Sequence, residues 1–235
     1  MSERHDFVVP DLDRAKRKGV PEVILSEGKT VAHALKIVHI FLERNGRAIL
    51  SRVPPELEAR LRSDFDDSIE LEWYASARAA VLRRVGAEPP QIGGRVGVLT
   101  AGTSDVPVAE EAVMLCREMG CEVYTAFDVG VAGLHRLFDP LRQMLEVHEV
   151  DVLIVAAGMD GALPSVVSGL ADVPVIGLPT PVGYGLGNNG IAALYSMLQT
   201  CAPGMAVVNI GNGIGAGAMA GLIANRIAAA RKERA

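Results

Sequence analysis

Ala156–Pro164 reads Ala-Ala-Gly-Met-Asp-Gly-Ala-Leu-Pro, and Asp160 is the one acid between Asp151 and Asp172. A carboxylate set among small residues, if partly desolvated, can act as a general base. The plainer reading is a turn aspartate. Asp128–Arg136 (DVGVAGLHR) brings His135, a side chain that titrates near neutrality or merely hydrogen-bonds its loop. Thr100–Asp105 (TAGTSD) combines Gly102, where backbone can approach a ligand, with the hydroxyls of Thr103 and Ser104. The helix expected after it would favour an anion at its N-terminus, or Ser104 or Asp105 would simply cap it. Cys201 stands in Ser196–Gly204. By residue type a lone cysteine is usually a small buried apolar group, and Cys116 and Cys121 fit that reading.

Two motifs invite a different chemistry. Gly213–Ala218 fits G-x-G-x-x-A, but a dinucleotide site needs a following strand and an acid about 20 positions on. The sequence ends at Ala235 after one helix. Close packing of a last helix is the better account. Gly28-Lys29-Thr30 is similar to a phosphate loop, yet Val23 stands where that loop has its first glycine. A turn with Thr30 as helix N-cap explains it, and Lys29 is kept as a phosphate contact. No Cys/His cluster has zinc-site spacing, so no metal ligand is assigned.

These residues need elements to hold them. From residue 95, short Val/Ile-rich runs alternate with helical patterns. The expected strands are Arg95–Thr100, Glu122–Ala126, Val152–Ala156, Val173–Leu178 and Ala206–Ile210. The expected helices are Pro107–Met119, Leu134–His148, Leu163–Leu170, Asn189–Gln199 and Ala216–Arg231. Strands apolar throughout indicate a parallel sheet covered on both faces. Five β-α units in series read as α/β, a doubly wound sheet, which binds ligands beyond the carboxyl ends of its strands. Most of the unusual residues fall there. Residues 1–90 differ, being charged and Arg-rich. Glu22–Leu25 and Arg47–Arg52 are expected strands around a helix from Thr30 to Arg44. The reading is a small α/β amino-terminal domain, 1–90, with a linker at Glu88–Gly94, and a catalytic domain, 91–235.

Composition sets the outer limits. Of 235 residues 49% are hydrophobic, enough for a real core, and the net charge of -5 speaks against a nucleic-acid binder. Three cysteines cannot pair without remainder, so a reducing cytoplasm is expected. The first twenty residues carry Arg4, Arg14, Lys16, Arg17 and Lys18 without an apolar run, and no secretory signal is read there. Val173 to Asn225 holds no charged residue over 53 positions. Pro and Gly interrupt it too often for a membrane span. Burial in the fold or between subunits is expected, hence a homo-oligomer.

Five runs carry a resemblance: Thr100–Ala112 (TAGTSDVPVAEEA), Asp128–Leu137 (DVGVAGLHRL), Ala157–Val167 (AGMDGALPSVV), Pro179–Gly185 (PTPVGYG) and Cys201–Gly217 (CAPGMAVVNIGNGIGAG). In this order they resemble LarB, the carboxylase/hydrolase of nickel-pincer cofactor biosynthesis. Its catalytic domain is similar to aminoimidazole ribonucleotide (AIR) carboxylase, the PurE-like, flavodoxin-like fold. Glu22-Val23-Ile24 with Gly28-Lys29-Thr30 resembles the family's amino-terminal domain.

The resemblance implies that nicotinic acid adenine dinucleotide and CO2 or bicarbonate become pyridinium-3,5-biscarboxylic acid mononucleotide and AMP. It makes Cys201 the nucleophile, overturning the reading by residue type, with Asp160 as base and His135 as a further catalytic group. Substrate would be bound by Thr103, Ser104, Asp105, Gly158, Met159, Gly183, Tyr184, Gly185, Asn209 and Asn212, with Lys29 and Arg52 on its phosphates. No tightly bound cofactor is expected, though Mg2+ could accompany the phosphates. A PurE-like fold further implies an octamer. The chain departs from the pattern at Asp160, usually Glu, at Pro181, usually Ser, and at Gly211 and Ile214, usually Asp and Phe. Two alternatives stand beside this reading: an AIR carboxylase-like enzyme on another nucleotide, and a nucleotide-binding regulatory homologue without turnover.

Overall fold

The computed structural model describes residues 10–234. The chain divides into two units, Met1–Glu88 and Pro89–Ala235, two residues before the boundary placed by sequence.

The amino-terminal unit contains α1 (Arg14–Lys18), β1 (Val23–Leu25), α2 (Val31–Asn45), β2 (Arg47–Ser51), α3 (Pro55–Ser63), β3 (Ile69–Tyr74) and β4 (Ala79–Arg84). Its sheet has the order β1-β2-β4-β3, with β1 parallel to β2 and the other pairs antiparallel. Thr30 caps α2: its hydroxyl accepts the His33 N–H at 3.2 Å. That uses the Gly-Lys-Thr turn as a helix start. Ala34, Leu35, Val38, Phe41 and Leu42, spaced by three and four, form the buried face of α2 and pack with Leu50, Leu57 and Leu61. The elements expected from the sequence include no counterpart of α1, α3, β3 or β4.

The second unit contains β5 (Arg95–Thr100), α4 (Val106–Glu118), β6 (Glu122–Ala126), α5 (His135–Arg142), β7 (Val152–Ala157), α6 (Ala162–Ser168), β8 (Val175–Pro179), α7 (Ile191–Leu198), β9 (Met205–Val207) and α8 (Gly213–Arg234). Five parallel strands take the order β6-β5-β7-β8-β9. This is the doubly wound α/β fold expected from the alternation of strand and helix. Every residue of β7 and β8 is buried, as a two-face-covered strand requires. The last strand is shorter than expected. After Val207 the Asn209 side chain accepts the Ile210 N–H at 2.9 Å and turns the chain. The expected long helix over 134–148 is instead α5, with Pro140 inside it, continued by a π-type turn over Gln143–Val147.

The Gly-rich run that fits a dinucleotide pattern is a packing device. Gly213, Gly217 and Gly221 lie four apart on one face of α8, against α4. A Cβ at Gly213 would meet the Val108 carbonyl oxygen at 2.2 Å, and one at Gly217 the Ala112 carbonyl oxygen at 2.8 Å. Bare backbone on α8 is what lets the two helices approach. By length and hydropathy α8 is also long and apolar enough to cross a membrane. Its small-residue face is instead buried.

Candidate active site

The switch point of this strand order lies between β5 and β7, where successive connections leave in opposite directions. A cavity of about 780 Å3 opens there, beyond the carboxyl ends of the strands. The loop after β5 lines it with Ala101, Gly102, Ser104 and Asp105, the loop after β6 with Asp128, and the first turn of α5 with Arg136. The loop after β7 adds Gly158, Met159 and Asp160, and the segment after β8 adds Val182 and Tyr184.

Local backbone geometry explains the glycines. A Cβ at Gly130 would meet the Ala101 carbonyl oxygen at 2.5 Å, so this glycine lets the β6 loop close over the β5 loop. Gly158 is hemmed in likewise: its Cβ would lie 2.4 Å from the Val182 carbonyl oxygen. Two non-glycine residues lining the cavity hold left-handed backbone, Asp128 at φ 60° and Met159 at φ 54°. Such conformations cost of order 1 kcal/mol each and collect at functional sites. The Met159 N–H donates to Val182 O at 2.7 Å, and the Asp128 N–H to Thr100 Oγ1 at 3.1 Å.

The charged groups divide into fixed and open ones. Asp105 is 4% exposed. Its Oδ2 accepts the Gly102 N–H at 2.9 Å and its Oδ1 accepts the Thr180 hydroxyl at 2.5 Å. Arg136 donates to Asp128 Oδ2 at 2.6 Å, and both side chains keep a substantial exposed area. Gly133 provides the seat for that guanidinium, since a Cβ there would stand 2.7 Å from Arg136 Nε. Asp160 is exposed, and its Oδ1 accepts the Ala162 N–H at a long 3.4 Å. Among the described residues no group of three or more His, Cys, Asp or Glu could hold a metal ion.

The structure gathers Ser104, Asp105, Gly158, Met159, Asp160 and Tyr184 at one cavity. Thr103 is exposed beside it, and Gly183 and Gly185 flank Tyr184 without lining it. His135 is exposed at the start of α5, outside this lining, and the next residue, Arg136, lines the cavity. One residue along a helix turns the side chain by about 100°. Asn209 and Asn212 lie outside this lining as well, and their side chains serve the turn into α8. Asn212 Oδ1 accepts the Gly215 N–H at 2.8 Å, the cap a helix start wants. Lys29 and Arg52 lie in the amino-terminal unit, where Arg52 pairs with Glu27 at 3.2 Å. Asp128 and Arg136 have no role assigned from the sequence; the signal that marks them is a charged pair following a strand end.

Cys201 stands apart from the cavity within its own chain. It is exposed, after α7 and before β9. The Val175 N–H donates to Gly204 O at 3.0 Å and Ser168 Oγ to Pro203 O at 2.9 Å. These bonds fix the 201–204 loop at the amino ends of β8 and β9. The cavity lies past the opposite ends, about 16 Å away along a five-residue strand. Burial raises the other two thiols: Cys116 far above its usual value and Cys121 to about 12.

Residues 95–235 match the AIR carboxylase family, and residues 2–84 match the LarB/PurE-like N-terminal domain. The chain belongs to the LarB/PurE-related family. It is 44% identical over 216 residues to an uncharacterized protein of Methanocaldococcus jannaschii, covering 91% of this chain and 82% of that relative. It is 33% identical over 136 residues to the N5-carboxyaminoimidazole ribonucleotide mutase of the same organism, covering 58% of this chain and 80% of the mutase. The mutase of Thermotoga maritima is 30% identical over 135 residues, 55% of this chain and 74% of that protein. Each of these mutase matches is shorter than the second unit, Pro89–Ala235. The family is of the carboxylase type, and the LarB/PurE-like amino-terminal domain is joined here to its fold.

Proposed function

We propose that this chain is a LarB-type carboxylase/hydrolase acting on nicotinic acid adenine dinucleotide, with CO2 or bicarbonate as the second substrate. The observation that carries the reading is the joining of a LarB/PurE-like amino-terminal domain to an AIR carboxylase domain whose cavity holds three carboxylates and one guanidinium. Asp105, Asp128 and Asp160 suit a cationic ring, and Arg136 suits the anionic groups tethered to it.

The chemistry runs on the chain's own side chains. The Cys201 thiolate adds to an electron-poor ring carbon; its electron pair forms the C–S bond, and a ring π pair moves onto the cationic nitrogen and neutralises it. The resulting enamine carbon attacks CO2, forming the C–C bond. Asp160 takes the proton from that carbon, and the freed electron pair expels the thiolate. Aromaticity and Cys201 are both restored. Water then cleaves the phosphoanhydride, releasing AMP and the dicarboxylated mononucleotide. A Mg2+ ion travelling with the diphosphate would shield its charge in this step.

The scheme requires a second copy. Cys201 cannot serve the cavity of its own chain, so each cavity takes Cys201 from a neighbour in a homo-octamer of PurE type. The uncharged run 173–225 supports this assembly, because Tyr184, Leu186, Ile191, Tyr195 and Leu198 within it are exposed in a single chain. Incubation with nicotinic acid adenine dinucleotide and 13C-bicarbonate, followed by mass spectrometry, tests the function. A labelled dicarboxylated mononucleotide and AMP are expected. AMP without label, or no product, would overturn the reading.

The mutase relatives favour a second reading, a carboxylase-type enzyme on aminoimidazole ribonucleotide. Growth of a purine-requiring strain carrying this chain would support it.

A further inference from the structure

We infer that Thr180 is a positioning residue, whose hydroxyl locks the Asp105 carboxylate in the orientation that faces the cavity. Thr180 follows β8 and is fully buried, and it lies 75 positions along the chain from Asp105. Its hydroxyl donates to Oδ1 at 2.5 Å while the Gly102 N–H holds Oδ2 at 2.9 Å. One oxygen is therefore tied to the β5 loop and the other to the end of β8. With one hydrogen bond on each oxygen, rotation of the carboxylate is restrained from both sides.

The hydroxyl is itself held from several sides. The Thr180 N–H donates to Ala157 O at 3.0 Å, extending the β7–β8 ladder past β8. A Cβ at Gly158 would stand 2.7 Å from Thr180 Oγ1, and one at Gly190 2.5 Å from the Thr180 carbonyl oxygen. Gly158 thus makes room for the hydroxyl, and Gly190 for the backbone that carries it. Valine has the shape of threonine without the donor. At this position it would leave Oδ1 buried with one partner fewer. The cavity would keep its walls but lose a fixed acceptor for a hydrogen-bond donor of the ligand. The ligand part of this inference rests on the proposed function. The geometric part does not.

Two measurements on the full-length protein test it separately. Hydrogen exchange of the Gly102 amide, followed by NMR without ligand, reads the carboxylate's order. Thr180→Val should lower protection at Gly102 by about tenfold or more while amides of β7 stay protected, and Thr180→Ser should restore it. Unchanged protection at Gly102, or an equal loss throughout the sheet, would overturn the inference. Calorimetry with nicotinic acid adenine dinucleotide reads the consequence. Thr180→Val should weaken binding about 10- to 100-fold, Thr180→Ser far less, and Thr180→Val should add little once Asp105→Asn is present. Equal losses from Thr180→Val with and without Asp105→Asn would also overturn it. If the wild type itself fails to bind the dinucleotide, the proposed substrate is wrong, and the exchange measurement still decides the role of Thr180.

Discussion

Asp160 and Cys201 occupy opposite ends of one parallel sheet: Asp160 follows the carboxyl end of β7, and Cys201 precedes the amino end of β9. A reaction that uses both must draw them from different copies. Cys201→Ala and Asp160→Asn proteins should each be inactive alone. When they are dissociated and reassembled together, a cavity pairing the Asp160 of one variant with the Cys201 of the other is intact. Random assembly makes about a quarter of cavities intact. Recovery of that order is the expected result of a product assay on the mixture. No recovery, in mixtures shown by native mass spectrometry to be hybrid, would place the thiol outside the reaction.

Assembly itself can be attacked at the exposed apolar stripe of α7. Ile191, Tyr195 and Leu198 recur at four and three residues on one exposed side of that helix. A charge there costs little in a single chain and much in a buried interface. Tyr195→Asp combined with Leu198→Asp should yield a folded smaller species by light scattering, without carboxylation. An unchanged oligomer would remove this face from the interface.

Much of this arrangement was legible from residue order. The central strands were readable because burial on both faces demands apolar residues throughout, as in Val152–Ala157 and Val175–Pro179. The cavity loops followed from the strand ends. Strand β3, Ile69–Tyr74, alternates acids with apolar residues at a sheet edge, a short signal that a charged neighbourhood obscures. That Arg136 lines the cavity and its neighbour His135 does not is set by helix phase, which residue type does not reveal. The position of Cys201 was within reach of counting alone. A residue that follows a helix and precedes the next strand of a βαβ unit must lie at the amino end of the sheet.

Arg136 is the cation lining the cavity among the described residues. Asp128 holds it at 2.6 Å. An anionic substrate group would compete for the same guanidinium. Arg136→Met should raise KM about 10- to 100-fold, the worth of a charge-assisted hydrogen bond, with a smaller change in kcat. Steady-state kinetics at saturating bicarbonate would show the split. An unchanged KM would mean that the anion is held elsewhere.

The three thiols should differ sharply in reactivity. Cys201 is exposed, whereas Cys116 and Cys121 are buried. Only thiolates alkylate quickly. Iodoacetamide at pH 8 should modify Cys201 alone in the folded protein, and all three after denaturation, as peptide mass spectrometry would show. Modification of Cys121 at the rate of Cys201 would contradict the packing at the end of α4.

The same burial makes a prediction about alkaline stability. The Cys121 thiol is raised from 9.0 to about 12 because burial disfavours its anion, and the nearby Asp151 charge adds to this. A raised acid of this kind is protonated in the folded state while its unfolded counterpart ionises. Its contribution is therefore complete below pH 9 and declines as pH rises from 9 towards 12. The loss is about 1.4 kcal/mol per pH unit at most, from this group alone. Lysines and tyrosines titrate in the same range, so the comparison must be with Cys121→Val, which keeps the volume and removes the ionisation. Urea unfolding at pH 7.5 and pH 10.5 should show wild-type stability falling further than that of the variant, by about 1–2 kcal/mol. Equal losses in both proteins would mean that Cys121 ionises in the folded chain as readily as in water.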